Sequence, residues 1–248
     1  MEDKSISIVV PVYNGRKYLD ELVSRITRST AGFRITEIIL VDDHSPDKSF
    51  DKILEITSQN PAVRGYLLDG NHGQQNAVLC GLSKASGDYV VIMDDDLENP
   101  PEAIPAMYEE MQKGFDVVYA HDIRPVNRGI LRKSGSLIRD LTFRMLTDIP
   151  KDVRVCSFRM MSSWLCKEVA RADGRFVYIS MEILKHTTNI SNIRVEYGKR
   201  KESGHSTRRL VGLILRIFVY YSGIGFLKRF RKPGPAYIIK ASTGEKEQ

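Results

Sequence analysis

The sequence predicts an α/β fold, a doubly wound and mostly parallel sheet flanked by helices. Short apolar runs alternate strictly with segments of helical periodicity along the first half of the chain. The runs are continuous rather than alternating, as a strand covered on both faces requires. Their ends supply a further observation. Four of them stop in polar clusters, Pro11-Val12-Tyr13-Asn14, Asp42-Asp43, Asp69-Gly70-Asn71 and Asp94-Asp95-Asp96. Ligands of such sheets bind outside the carboxyl ends of the strands. Each cluster alone has a loop explanation; together, on one edge, they describe a site.

In chain order, Ser5 to Val12 reads as a strand ending at the turn Tyr13-Asn14-Gly15. Tyr18, Leu19, Leu22, Val23 and Ile26 then recur at helical spacing. Glu37 to Val41 is the second strand, Ser49 to Thr57 a helix capped by the polar residues before it, and Val63 to Leu68 the third strand. Gln74 to Ala85 is a helix, Tyr89 to Met93 a strand, Pro101 to Lys113 a helix after a proline pair, and Phe115 to Ala120 a strand. The second half is less regular. A basic amphipathic helix is expected from about Arg132 to Thr147, and a return strand within Asp152 to Ser163. Helices are expected over Trp164 to Ala172, with Trp164 in the core, and over Val177 to Thr187; Ile193 to Tyr197 reads as a strand. Leu210 to Leu227 is the most apolar stretch. It carries Arg216 at its centre, which is costly in lipid, so a surface-lying amphipathic helix is expected, with Lys228 to Lys232 at phospholipid headgroups. The tail Ala241 to Gln248 reads as polar and loose. The domain boundaries expected are 1–208 for the α/β domain and 209–248 for a basic helical appendage.

The acidic run at the end of the fourth strand carries the chemistry. Carboxylates at the mouth of a buried strand repel one another, and a hard divalent cation relieves that repulsion through oxygen ligands. Alternate residues of an extended segment point the same way. Asp94, Asp96 and Glu98 are therefore expected to converge on one ion, with Asp95 turned elsewhere.

Composition narrows the partners. The 248 residues carry a net charge of +6, with acidic residues crowded into the first half and basic ones into the second. A basic half suggests polyanionic partners such as phosphates or an anionic membrane. No helix-turn-helix, zinc or RNP pattern accompanies it, so nucleic acid is not expected. Cys80, Cys156 and Cys166 show no paired spacing and read as buried thiols of a reducing compartment. Ile6 to Val12 is too short an apolar run for a signal peptide, so a cytoplasmic location is expected, peripheral on the inner face of the membrane. The GxGxxG fingerprint and the Walker lysine loop are both absent after the first strand.

The stretches Val10-Pro-Val-Tyr-Asn14, Ile38-Ile-Leu-Val-Asp-Asp-His-Ser45, Asn71-His-Gly-Gln-Gln-Asn-Ala77, Gly87 to Glu102 and Phe115-Asp-Val-Val118 together resemble the family 2 inverting glycosyltransferases of GT-A fold. Asp94-Asp-Asp-Leu-Glu-Asn-Pro-Pro-Glu102 resembles the branch that glycosylates polyprenyl phosphates, the dolichyl-phosphate mannose synthase and bactoprenol glycosyltransferase type, which serves cell-envelope polysaccharide synthesis. The resemblance implies nucleotide binding by Pro11, Tyr13, Asp42, Asp43, Gly73, Asp95 and Arg200. It implies Mg²⁺ or Mn²⁺ on Asp94 and Asp96, joined by Glu98 where the branch usually has glutamine. Lys201 or Arg200, with Gly204 and Ser206, matches a loop that closes over the donor phosphates, although Thr207 replaces its last lysine; Asp94, Asp96 and Lys201 are the implied catalytic set. Arg124, Arg132, Ser157 and Arg159 are implied at an acceptor phosphate.

Such chemistry expels a charged diphosphate, whose developing charge a metal and basic side chains stabilise. A phosphate acceptor is already ionised near neutral pH and needs no general base, whereas a sugar hydroxyl does. Asp152 and Glu182 are the candidates for such a base, and a structural role competes for each. The partners expected are a nucleotide-sugar donor, a polyprenyl-phosphate or glycan acceptor and a membrane surface, with a homo-oligomer left open. A soluble transferase extending a glycan at a hydroxyl is the alternative within enzymes. A nucleotidyltransferase lacks support because Tyr13-Asn14-Gly15-Arg16-Lys17 is not the glycine- and arginine-rich loop such enzymes carry. A non-catalytic scaffold on the same fold has the intact acidic run against it.

Overall fold

The structure, a computed structural model, describes residues 4–124, 149, 153–172, 174–198, 207–222, 224 and 234–243. The first half alternates as the apolar pattern requires, through β1 (Ile6–Val12), α1 (Leu19–Ser29), β2 (Ile35–Asp42), α2 (Ser49–Gln59), β3 (Val63–Leu68), α3 (Gln74–Lys84), β4 (Tyr89–Ile92), α4 (Ile104–Met111) and β5 (Val117–Asp122). A single 3-10 turn, Pro101–Ala103, precedes α4, where Pro101 and Pro105 leave the backbone short of donors. Then come β6 (Arg159–Ser162), α5 (Ser163–Ala170), α6 (Ile179–His186), β7 (Ile190–Val195), α7 (Thr207–Tyr221) and β8 (Ile239–Ser242).

The sheet has eight strands in the order β7-β5-β6-β4-β1-β2-β3-β8. It is mostly parallel. β6 runs antiparallel between β4 and β5, and β8 runs antiparallel along the edge of β3. Side chains on the two faces of each strand enter two separate cores. Val9, Ile39, Val41, Val90 and Ile92 meet α3, α5 and α6 on one face. Ile8, Val10, Ile38, Leu40 and Val91 meet α1, α2 and α4 on the other. Each fully buried Val, Leu or Ile contributes about 1.5–3 kcal/mol, which explains why the continuous apolar runs predict these strands so well.

Three expectations change. The tail expected to be loose from Ala241 begins inside β8, where Ala241 pairs with Leu67 and Ser242 with Tyr66. Burial of Ala236 and the packing of Tyr237 and Ile239 against the core hold that segment in place. Trp164, expected in the core, is 44% exposed. It stands in the first turn of α5 with its indole N–H on Asp116 Oδ1, so the polar tip is satisfied at the surface. The return strand is shorter than its apolar run and pairs antiparallel on both sides. The helix expected over Arg132 to Thr147 and the basic run Lys228 to Lys232 lie outside the described residues.

The end of the sheet remote from the acidic run is pinned by a buried carboxylate. Glu37, fully buried on β2, accepts from Ser7 Oγ, from the Ser86 N–H at 2.8 Å and from Ser86 Oγ, and it meets Arg64 at 3.3 Å. Removing it strands the buried Ser7 hydroxyl, at about 1–3 kcal/mol, and releases the exposed Ser86 and Arg64. Glu37→Leu is expected to lower the urea-unfolding free energy by about 1–3 kcal/mol while leaving ligand binding at the opposite edge intact. An unfolding curve matching wild type would remove Glu37 from this role.

Candidate active site

β4 delivers the acidic run to the carboxyl edge of the sheet. The Asp94 N–H donates to Asn99 Oδ1 at 2.8 Å, so the asparagine before the proline pair closes the turn onto the strand end. Asp94 Oδ1 accepts from Gln74 Nε2 at 2.6 Å and Oδ2 from Ser157 Oγ at 2.9 Å. Ser157 reaches this position because β6 runs antiparallel beside β4 and pairs Arg159 with Ile92. Asp95 turns to the other side, as expected, and its Oδ2 accepts the Tyr13 N–H at 3.0 Å. A Cβ on Gly15 would lie 2.2 Å from that oxygen, so only glycine leaves room for the contact.

The expected convergence of Asp94, Asp96 and Glu98 does not form. Alternation holds only for an extended chain, and Leu97 adopts φ +66°. The backbone folds back there, and the Glu98 N–H donates to Asp96 Oδ1 at 3.0 Å. The Glu98 carbonyl in turn accepts the Gly198 N–H at 2.8 Å. Among the described residues, no three His, Cys, Asp or Glu side chains form a group that would hold a metal by themselves. Hard oxygen donors nonetheless fit Mg²⁺ or Mn²⁺, because Mg²⁺ is commonly held by one or two carboxylates together with substrate phosphates rather than by an all-protein cage. Asp94 and Asp96 suit that arrangement.

The electrostatics record the crowding. Burial pushes Asp94 up to about 6, with Asp96 and Glu98 adding repulsion and Ser157 and Arg159 opposing it. Burial pushes Asp95 up to about 7, against the Tyr13 N–H and reinforced by Asp96 and Asp94. Burial also raises Asp42 and Asp43.

The neighbouring loops are tied to the same edge. Asp43 accepts the His72 N–H at 2.7 Å and the Gly73 N–H at 2.8 Å, which positions the loop entering α3; Gly73 takes φ +87° there. Asp42 accepts the Ser45 N–H at 3.0 Å, and Ser45 Oγ accepts the Asn14 N–H at 3.1 Å. Pro11 is buried within β1 opposite Val41, so it shapes the strand, whereas Tyr13 is 48% exposed at the rim.

The acceptor-phosphate set divides. Ser157 serves Asp94. Arg159 is 2% exposed and donates from Nη1 to Ser180 Oγ at 2.9 Å, so it stands inside the protein rather than at a surface. Arg124 clasps Asp122 through two nitrogens and donates to the Gly198 carbonyl at 2.8 Å. Arg132, Asp152, Arg200 and Lys201 lie outside the described residues. Of the histidines near strand ends, His72 Nε2 lies 2.6 Å from Asp69 Oδ1 and His44 Nδ1 3.3 Å from the Leu68 carbonyl.

Residues 7–170 match the model of the family described as Glycosyl transferase family 2. The chain belongs to glycosyl transferase family 2. It is 31% identical over 216 residues to the undecaprenyl-phosphate 4-deoxy-4-formamido-L-arabinose transferase of Salmonella paratyphi B, an alignment covering 85% of this chain and 65% of that protein. The chain thus spans just under two thirds of the relatives of this name that it matches. Its fold resembles the glucosyl-3-phosphoglycerate synthase of Mycobacterium tuberculosis, solved with Mn²⁺, UDP-glucose and phosphoglyceric acid, at TM-score 0.63 and 18% identity over 86% of this chain and 79% of that one. It also resembles the mannosyl-3-phosphoglycerate synthase of Rubrobacter xylanophilus, at TM-score 0.66 and 17% identity over 93% and 78% of the two chains. These likenesses establish the GT-A fold.

Sequence reasoning passed over Gln74 and Asn99 in this family 2 site. Gln74 belongs to the Asn71 to Ala77 stretch, whose polar residues at a helix start were the available signal. Asn99, directly before a proline pair, carries only the signal of a turn.

Because the folded pKa of Asp95 lies above its unfolded value, its ionisation opposes folding. The relative stability it confers is present below about pH 4 and lost as the pH rises towards 7. With one pKa unit worth about 1.4 kcal/mol, Asp95→Asn is expected to stabilise the metal-free protein by on the order of 1–3 kcal/mol at pH 8. At pH 5 the gain should be clearly smaller, since folded wild type keeps its proton. Urea unfolding at both pH values checks this, and an equal gain at both would contradict it.

Proposed function

We propose that this chain transfers a sugar, with inversion, from a nucleotide diphosphate to the phosphate of a polyprenyl phosphate. The observation that carries the reading is the likeness to a transferase named for undecaprenyl phosphate, in a chain whose acidic run stands at the carboxyl edge of the sheet. Tyr13 and the loops braced by Asp42, Asp43 and Asp95 would receive the nucleotide. Asp94 and Asp96 would hold Mg²⁺ or Mn²⁺ with the donor diphosphate; the ion neutralises charge on the leaving group.

A phosphate acceptor attacks without a general base, and this suits the fate of Glu182. That carboxylate is buried, accepts the Tyr221 hydroxyl proton at 2.6 Å and pairs with Lys185 at 2.9 Å, which is a structural engagement. The donor-closing role of Arg200 and Lys201, and the acceptor role of Arg124 and Arg132, remain part of the proposal on their sequence positions.

The lipid acceptor implies a surface on which to meet it. Among the described residues no helix is long and apolar enough to cross a membrane. α7 instead exposes Leu215 at 60% and Phe218 at 39% beside exposed Arg216, and buries Ile217. We assign its outer face to an anionic lipid surface, with Arg208, Arg209 and Lys228 to Lys232 adding charge along the sequence. With it we propose a peripheral position, on the cytoplasmic face of the membrane.

Thermal shift with UDP, GDP, dTDP and CDP, with and without Mn²⁺, tests the donor half. A ligand at a hundredfold excess over its Kd stabilises by about 2.7 kcal/mol. One nucleotide should raise Tm only with metal, and Asp96→Ala should abolish the effect. Absence of any shift would favour a scaffold. For the acceptor half, label from the sugar nucleotide should enter the butanol-extractable lipid and be released by mild acid. Label in a water-soluble glycan instead would favour the hydroxyl-acceptor alternative.

A further inference from the structure

The inner face of α7 is fastened through the Tyr221 hydroxyl as well as by apolar packing. Ile217 packs on Met181, and Leu213 and Tyr221 close around Phe176 and Tyr178. At the carboxyl end of the helix, the Tyr221 hydroxyl accepts the Tyr178 N–H at 2.9 Å and donates to Glu182 Oε1 at 2.6 Å. Lys185 Nζ lies 4.5 Å from the centre of the Tyr221 ring and is itself paired with Glu182. The hydroxyl thus lies between a backbone donor at the start of α6 and a buried carboxylate one turn on. A phenylalanine ring would fill the same space but satisfy neither.

The segment that receives Tyr221 also faces the site. The Ile179 N–H donates to Gln75 Oε1 at 3.0 Å, and the neighbouring Gln74 donates to Asp94. Ser180 Oγ receives Arg159, whose charge acts on Asp94. The start of α6 therefore carries the fastening of α7 and two of the supports behind Asp94 within a few residues. Helix and site are joined through hydrogen bonds whose geometry is directional, not through apolar contact alone.

We propose that Tyr221 is a positioning residue for the lipid acceptor. By clamping α7 to Tyr178 and Glu182, it sets how far the outer face of α7 stands from Asp94, so that a prenyl phosphate held at the lipid surface meets the donor. The inference rests on the polyprenyl-phosphate function proposed above.

The test uses the full chain, with a long-chain polyprenyl phosphate in phosphatidylglycerol-containing vesicles and a short, water-soluble prenyl phosphate. Tyr221→Phe removes two hydrogen bonds, and loss of the one to the charged carboxylate alone corresponds to about tenfold in an equilibrium constant. Tyr221→Phe is expected to raise KM for the vesicle-borne acceptor by about that factor, with kcat, KM for the soluble acceptor and nucleotide affinity unchanged. Glu182→Gln keeps an acceptor for the hydroxyl and should retain the wild-type KM. Glu182→Leu removes that acceptor while leaving the Tyr178 N–H bond, and should raise KM for the vesicle-borne acceptor in the same direction as Tyr221→Phe. An unchanged KM on vesicles overturns the inference. So does a fall in kcat with both acceptors together, which a merely structural role would give. Wild-type protein that labels neither prenyl phosphate overturns the underlying function, and this inference with it.

Discussion

Consecutive carboxylates at the end of a buried strand repel one another, and the surroundings of β4 answer that repulsion group by group. Asp94 takes hydrogen bonds from Gln74 and Ser157, Asp95 takes the Tyr13 N–H, and Asp96 takes the N–H of Glu98. The Ser157 bond to Asp94 and the Tyr13 bond to Asp95 favour the ionised form, yet burial still lifts Asp94 to about 6 and Asp95 to about 7. The metal-free site therefore stands in tension with folding. A cation bound as proposed would stabilise the ionised carboxylates and relieve that tension, linking ligand affinity to protein stability through the same oxygens.

The antiparallel placement of β6 makes this arrangement possible. A strand entering parallel beside β4 would bring its amino end to the far edge of the sheet. Running the other way, β6 brings Ser157 and Arg159 to the carboxyl edge, although 63 residues separate Ser157 from Asp94. Arg159 is then enclosed by Tyr119 and Ser180, with its guanidinium carbon 5.8 Å from the Tyr119 ring centre. A cation held there lowers the cost of ionising Asp94.

What could be read from the sequence follows from where the information is local. The strands of the first half are legible because each is a continuous apolar run bounded by polar turns, as in Val63 to Leu68. The edge at which the site forms is legible because parallel strands share a carboxyl end. The mutual position of the carboxylates is not, because it depends on the backbone at Leu97. A leucine with positive φ costs roughly 1–2 kcal/mol and carries no sequence signature. Ser157 could be named but not placed beside Asp94, since strand pairing across so long a separation leaves no periodicity. β8 was missed for a related reason. Its short run Ile239–Ser242 pairs only on one side, with β3, so it lacks the apolar length of a central strand.

The acidic side chains of the site also act as its braces. Asp43 on the loop after β2 holds the loop before α3, Asp95 after β4 holds the loop after β1, and Asp94 joins α3 to the approach of β6. Loops of adjacent strands are thus held to one another by carboxylates rather than by apolar packing. Directional bonds of this kind fix geometry more sharply than burial does. They also give the loops a shared dependence on charge. A change that removes one carboxylate loosens a neighbouring loop even when the strand beneath it is intact, so loss of binding in such a variant need not mean that the missing oxygen touched the ligand. For Asp95, which accepts through one oxygen, the isosteric amide distinguishes the two by keeping the acceptor and removing the charge; Asp43 and Asp94 accept through both oxygens, so an amide there would also break one brace. Where the Asp95 amide preserves binding, the residue is a brace. Where that amide destroys it, the charge itself is the contact.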